Sequence, residues 1–238
     1  LHEKEINKNI YDNRDRHGLE MVDSLLSMFE ANITVEGIEN LEGENRFLVA
    51  ANHPLGALDG LALLQAVGKV HPNVRFPVND FLLYLPNLKE LLIPINKSGK
   101  QKIEAVREFE NVLKSDTNIL YFPAGLASRK IKGKIVDLEW KKTFVQKAKA
   151  HQRNVIPTYI SGRNSNFFYR LANLRRFLGI KTNIEMLYLS DETYKQKDKE
   201  IKIIFGKPIP YTTFDKSKKD IEWAKYVKEI VYDLQQKL

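Results

Sequence analysis

Asn52-His53 and, a few positions on, Asp59 are the residues in this chain best suited to do chemistry. They lie in the stretch Asn52-His53-Pro54-Leu55-Gly56-Ala57-Leu58-Asp59-Gly60, directly after the apolar run Phe47-Leu48-Val49-Ala50-Ala51. A histidine at the end of a buried strand, with a carboxylate nearby, can form an imidazole–carboxylate pair. The carboxylate fixes the tautomer and stabilises the imidazolium, while the other ring nitrogen takes a proton from a hydroxyl. Pro54 and Gly56 favour a tight turn that would fold Asp59 back toward His53. A plainer account of the same residues is that Asp59 caps the following helix and His53 is a hydrogen-bonded loop histidine. Spacing alone favours that plainer account.

A second loop, Tyr121-Phe122-Pro123-Ala124-Gly125-Leu126-Ala127-Ser128-Arg129-Lys130, follows another apolar run. Its small residues would let backbone N–H groups approach an anion, and Arg129 and Lys130 supply charge. An ordinary Pro-Gly turn with solvated basic residues accounts for it equally well.

The elements that must hold these loops read as short apolar strands alternating with longer amphipathic helices. Strands are expected at 33–35, 47–51, 75–78, 91–95, 119–122, 155–160 and 201–205. Helices are expected at 18–31, 59–67, 100–115, 140–151, 166–178 and 220–238. That alternation predicts an α/β fold, layered, with a mostly parallel central sheet flanked by helices. The organisation reads as an N-terminal amphipathic helical segment over 1–32 and one domain over 33–238. In open sheets of this kind ligands sit beyond the carboxyl ends of the strands, which is where both unusual loops fall.

Composition narrows the function. The 238 residues contain 43% hydrophobic side chains, enough for a core, and no cysteine, which excludes disulfides, thiol nucleophiles and thiolate metal sites. The net charge of +8 suits partners that carry phosphate or acidic surface. No apolar run approaches the ~18–20 residues that span a bilayer, so membrane contact within this chain would be peripheral. His2, His17, His71 and His151 show no metal-ligand spacing, and neither a phosphate loop nor a Gly-x-Ser-x-Gly turn is present. No nucleic-acid motif accompanies the charge. The stretch from Gly162 to Leu178 mixes Phe167, Phe168, Tyr169 and Phe177 with Arg163, Arg170, Arg175 and Arg176. It reads either as a core helix, the reading its three- and four-residue spacings slightly favour, or as an interfacial surface with rings at the acyl boundary.

The two loops together resemble the lysophospholipid and glycerol-phosphate acyltransferases, whose signature is Asn-His, four residues, Asp, and some seventy residues later Phe-Pro-Glu-Gly-Thr-Arg. Asn52-His53 with Asp59, and Phe122-Pro123-Ala124-Gly125, stand for the two blocks. Ile93-Pro94-Ile95-Asn96-Lys97 and Val155-Ile156-Pro157-Thr158-Tyr159-Ile160 match two lesser blocks in order and spacing. Four ordered blocks outweigh the plainer account of His53. The resemblance implies a glycerol-phosphate-acyltransferase-like fold with His53 and Asp59 catalytic. Asn52, Asn96, Lys97, Pro123, Gly125 and Arg129 would meet substrate. It implies acyl carrier protein or acyl-CoA as donor, a membrane lipid as acceptor, no metal or redox cofactor, and a cytoplasmic, peripheral location at the inner face of the membrane.

Two departures matter. Five residues, not four, separate His53 from Asp59, which makes their contact a question for the structure. Ala124 replaces the glutamate, and the arginine arrives late, as Arg129. The variant His-Pro-x-Gly-x-x-Asp-Gly with Phe-Pro-Ala-Gly is similar to the branch that carries the hemolysin label and includes O-acyltransferases making ornithine- or glycine-type lipids. The alternatives are a lysophosphatidate acyltransferase and a catalytically silent peripheral membrane protein on the same scaffold.

Overall fold

The computed structural model describes residues 2–78, 85–95 and 100–237. Among the described residues are nine strands: β1 (Asn32–Glu36), β2 (Leu48–Ala51), β3 (Val74–Val78), β4 (Leu92–Pro94), β5 (Asn118–Tyr121), β6 (Arg129–Ile131), β7 (Lys134–Val136), β8 (Val155–Ile160) and β9 (Glu200–Phe205). The helices are α1 (Glu3–Asp12), α2 (Gly18–Met28), α3 (Glu39–Glu42), α4 (Ala57–Gly68), α5 (Lys100–Lys114), α6 (Thr143–Ala150), α7 (Asn166–Phe177), α8 (Leu189–Tyr194) and α9 (Asp220–Leu234).

Seven strands form one sheet in the order β1-β9-β8-β2-β5-β3-β4. Every neighbouring pair is parallel except β8 with β9. The mostly parallel, helix-flanked α/β sheet expected from the sequence is the observed fold. β2, with all four residues buried, lies between β5 and β8 at the centre. It is apolar on both faces because helices cover both. Val49, Ala51, Leu120, Ile156 and Ile160 pack on one side with α2 and α4. Leu48, Ala50, Ile119, Val155 and Tyr159 pack on the other with α5, α6 and α9. This period-two division of consecutive strand residues between two cores makes three layers. Met21, Val22, Leu25 and Leu26 carry α2 into the first core, so that helix's apolar stripe faces protein.

Arg153 ties the layers together from within. Its fully buried guanidinium donates to the carbonyls of Leu113, Thr117 and Ser115 at 2.7–2.8 Å, satisfying groups that the end of α5 leaves open. Burial lowers its pKa to about 10, so it stays charged at neutral pH.

Parallel pairing sends the chain out of β2, β5 and β8 at one edge. The loops after these strands therefore meet there, carrying His53, Phe122 and Asn164 respectively. The hairpin β6–β7 was not anticipated; it turns at Lys132 and Gly133, both at positive φ, and delivers Asp137 to the same edge. Among the described residues no helix is long and apolar enough to cross a membrane.

Candidate active site

Asn52 closes the end of β2 onto β8. Its amide donates to the Ile160 carbonyl at 2.8 Å, and its side-chain oxygen accepts from the Ile160 N–H at 2.6 Å. The side chain expected to meet substrate thus extends the β2–β8 ladder by one step and fixes where the next residue emerges.

That residue, His53, is held on every side. Its N–H donates to Asp137 Oδ1 at 3.1 Å, and its carbonyl accepts from the Ser128 N–H at 2.7 Å. The ring stacks on Phe122, centroids 4.2 Å apart and planes 16° from parallel. Nδ1 lies 2.9 Å from Asp59 Oδ2. A carboxylate at that distance sets Nδ1 as the N–H donor and leaves Nε2 as the nitrogen able to take a proton. The side chain is 15% exposed, enough for a substrate hydroxyl to reach one edge of the ring.

Asp59 is fully buried at the third position of α4. Its Oδ2 also accepts from the N–H groups of Leu55 at 2.8 Å and Gly56 at 3.0 Å, and Gly56 is the N-cap of that helix. The carboxylate therefore caps α4 and orients His53 with the same oxygen. Oδ1 is buried and has no partner among the described residues. Burial raises the Asp59 pKa, opposed by its hydrogen bond and charge interaction with His53 and by the two backbone donors.

The second loop serves mainly to shape the site. Gly125 sits at φ +68°, its N–H donating to the Phe122 carbonyl at 3.0 Å, and the Pro123 carbonyl accepts from the Lys141 N–H at 3.1 Å. Pro123 and Gly125 thus form a closed turn beneath the His53 ring's partner, Phe122. Arg129 departs from the expected head-group cation. Its side chain is only 2% exposed and donates to Glu185 Oε1 at 2.7 Å. Arg175 grips the same carboxylate at 2.8 Å. Arg129 also bonds the carbonyl of Ala127, and burial lowers its pKa against the pull of Glu185. With both of its terminal NH2 groups so committed, the guanidinium braces the loop internally. Asn96 and Lys97 lie outside the described residues.

A family model described as acyltransferase matches residues 1–238. The chain belongs to this acyltransferase family. It is 46% identical over 235 residues to the lyso-glycine lipid O-acyltransferase of Bacteroides thetaiotaomicron, covering 98% of this chain and 86% of that protein. The protein of the same name from Phocaeicola vulgatus is 45% identical over 235 residues, covering 98% and 84%. The crystal structure of a 1-acyl-sn-glycerophosphate acyltransferase from Thermotoga maritima superposes with a TM-score of 0.55 at 19% identity, over 90% of this chain and 81% of that one. At that identity the likeness establishes the fold.

The acyltransferase also uses residues that sequence reasoning missed. Asp137 is buried, accepts from the Ser128 hydroxyl at 2.6 Å and Trp140 Nε1 at 2.8 Å, and so joins the His53 backbone to the second loop. Its own N–H donates to the Tyr232 hydroxyl at 2.7 Å, which anchors this network to α9. Asn164 donates from its amide to the Pro54 carbonyl at 3.2 Å, tying the loop after β8 to the His53 turn. None of these carries a local motif, since the contacts that tie them to the site, Asp137 to His53 and Asn164 to Pro54, join residues far apart in sequence. Phe122 lay within a quoted block, and only the structure assigns its ring to His53.

Proposed function

We propose that this acyltransferase moves a fatty acyl group from an acyl thioester, carried by acyl carrier protein or coenzyme A, to the hydroxyl of a lyso-amino-acid lipid, with a glycine-type lipid as the first candidate. The observation that carries the mechanism is the 2.9 Å contact between His53 Nδ1 and Asp59 Oδ2. Asp59 reaches His53 despite the extra residue between them, which supports the catalytic reading over a silent scaffold. His53 Nε2 takes the acceptor hydroxyl proton as that oxygen attacks the thioester carbonyl. The C–O bond forms, the tetrahedral intermediate collapses, the C–S bond breaks, and the imidazolium returns its proton to the departing thiolate. Asp59 holds the ring and its tautomer and stabilises the imidazolium. The scheme uses direct transfer, with no covalent enzyme intermediate and no metal or redox group.

The acceptor class is supported by the two relatives named for lyso-glycine lipid and by the altered second block, Phe122-Pro123-Ala124-Gly125. The donor is supported by the net charge of +8, which suits either acidic carrier. A membrane-lipid acceptor and a thioester donor made in the cytoplasm together support a peripheral location at the inner face of the membrane. The test is transfer from a labelled thioester to a panel of lyso-glycine lipid, lyso-ornithine lipid and lysophosphatidate. His53→Ala should lose about 100- to 10,000-fold in rate while the protein stays folded. Transfer by His53→Ala at the wild-type rate would remove the general-base assignment. Preference for lysophosphatidate would remove the acceptor assignment.

A further inference from the structure

The outer face of α7 lacks the polar character usual on the solvent side of a surface helix. Its buried side carries Phe168, Tyr169, Ala172 and Arg175. Its solvent side carries Phe167, Arg170, Leu174 and Phe177, which share one face at three- and four-residue spacing. Phe177 is 87% exposed, and Leu178 beyond it is more than half exposed. The following 3-10 turn, Ile184–Tyr188, adds Leu187 at 69% exposure and Tyr188, whose ring meets Phe167 edge-on at 5.0 Å. Exposed Arg163, Arg170, Arg176 and Lys181 are interspersed with these apolar side chains. The sole acidic residue from 163 to 189 is Glu185, and it is fully buried.

We propose that this face, formed by α7 and the Ile184–Tyr188 turn, is the surface by which the enzyme docks onto an anionic lipid bilayer. Large apolar groups flanked only by exposed cations fit the acyl–headgroup boundary, where rings insert and guanidinium groups meet phosphate. An acidic protein partner would use the cations and leave Phe177, Leu178 and Leu187 unexplained. The face is also built onto the catalytic centre. The buried group Arg129–Glu185–Arg175 bolts α7 and the turn to the second loop. Leu189, the residue after that turn, packs against Gly56 of the His53 turn. A docked face would therefore hold His53 beside the bilayer surface.

This proposal rests on the membrane-lipid acceptor proposed above, but its test does not require turnover. The purified protein is sedimented with vesicles of phosphatidylcholine, with and without phosphatidylglycerol. Wild type should bind the anionic vesicles and bind neutral ones weakly. Phe177→Asp with Leu187→Asp should weaken binding at least about tenfold, the scale set by losing inserted apolar side chains. Arg170→Gln with Arg176→Gln should weaken it by about fivefold per charge on anionic vesicles only. Both variants change exposed side chains, so their melting curves and transfer to a water-soluble short-chain acceptor should match wild type. Wild-type vesicle binding by the aspartate variant would overturn the proposal. So would a variant that keeps vesicle binding and loses affinity for acyl carrier protein, which would assign the face to the donor. Vesicle binding that survives failure of every transfer assay would uphold the docking face and reject the acceptor reading alone.

Discussion

Asp59→Asn separates the charge of Asp59 from its geometry. In the wild type three N–H donors, from His53, Leu55 and Gly56, converge on Oδ2 at 2.8–3.0 Å. An asparagine oxygen can occupy that position and keep all three bonds, whereas its NH2 there would meet three donors. The amide is therefore oriented, His53 keeps its tautomer, and what the reaction loses is the negative charge beside the imidazolium that forms during transfer. Two unit charges about 4 Å apart at an effective dielectric of ~20 interact by about 4 kcal/mol. Lost from the transition state, that is up to roughly 1,000-fold in turnover, with an acceptor KM close to wild type. Folding should respond in the opposite sense. The raised Asp59 pKa means that the folded state disfavours the carboxylate. This contribution to stability is fully present below the ordinary aspartate value of about 4 and is lost as pH rises through the folded value. Asparagine has no charge to desolvate, but its NH2 takes the place of Oδ1, buried without a partner, at a cost of about 1–3 kcal/mol at either pH; measured against wild type, the variant should therefore be more stable at pH 7 than at pH 4. Single-turnover acyl transfer and melts at the two pH values read both effects. Turnover within about tenfold of wild type, or a stability difference that does not shift toward the variant between pH 4 and pH 7, would refute the account of Asp59 as a charged orienting group.

Phe122→Leu keeps an apolar side chain but removes the ring stacked on His53. It should lower kcat by about 2- to 12-fold, the equivalent of ~0.5–1.5 kcal/mol of stacking, with little change in KM. Arg129→Met leaves Glu185 facing only Arg175. It should cost about 3–5 kcal/mol of stability, read as a fall in Tm of roughly 6–20 °C. A raised acceptor KM at unchanged Tm would instead return Arg129 to the head group.

The sheet was legible because its strands are short apolar runs and its helices strongly periodic. Val155–Ile160 was delimited to the residue, and the ends of most other elements shift by one to three residues. The hairpin β6–β7 escaped because its strands are three residues each and its Lys132-Gly133 turn lacks the usual Asn-Gly signal. His53 and Asp59 were legible as a pair of types. The closeness of their contact was not, because the helix start that brings Asp59 back depends on a single backbone torsion at Gly56. Arg129 illustrates the opposite limit. An arginine after a Pro-Gly turn looks solvent-facing from sequence, and only the distant Glu185, more than fifty residues on, buries it. The apolar outer face of α7 was visible as spacing, but the same spacing describes a core helix.

Gly56 shapes the turn that carries Asp59 back to His53, and it yields the sharpest structural prediction. It sits at φ +91° and ψ −129°, backbone that L side chains rarely adopt, and a Cβ there would stand 2.9 Å from Leu189 Cδ2. That conformation points both the Leu55 and Gly56 N–H groups at one oxygen and starts α4 so that Asp59 falls at its third position. Gly56→Ala should cost about 1–3 kcal/mol from torsion alone, since the tip of Leu189 can give way. It should also lower kcat, because relaxing the torsion moves the two donors that hold the carboxylate under His53. Gly43→Ala is the matched control, with ordinary negative φ and open space around it, and should leave stability within ~0.5 kcal/mol. If Gly56→Ala melts and turns over like the control, the turn tolerates another torsion, and the His53–Asp59 contact does not depend on this glycine.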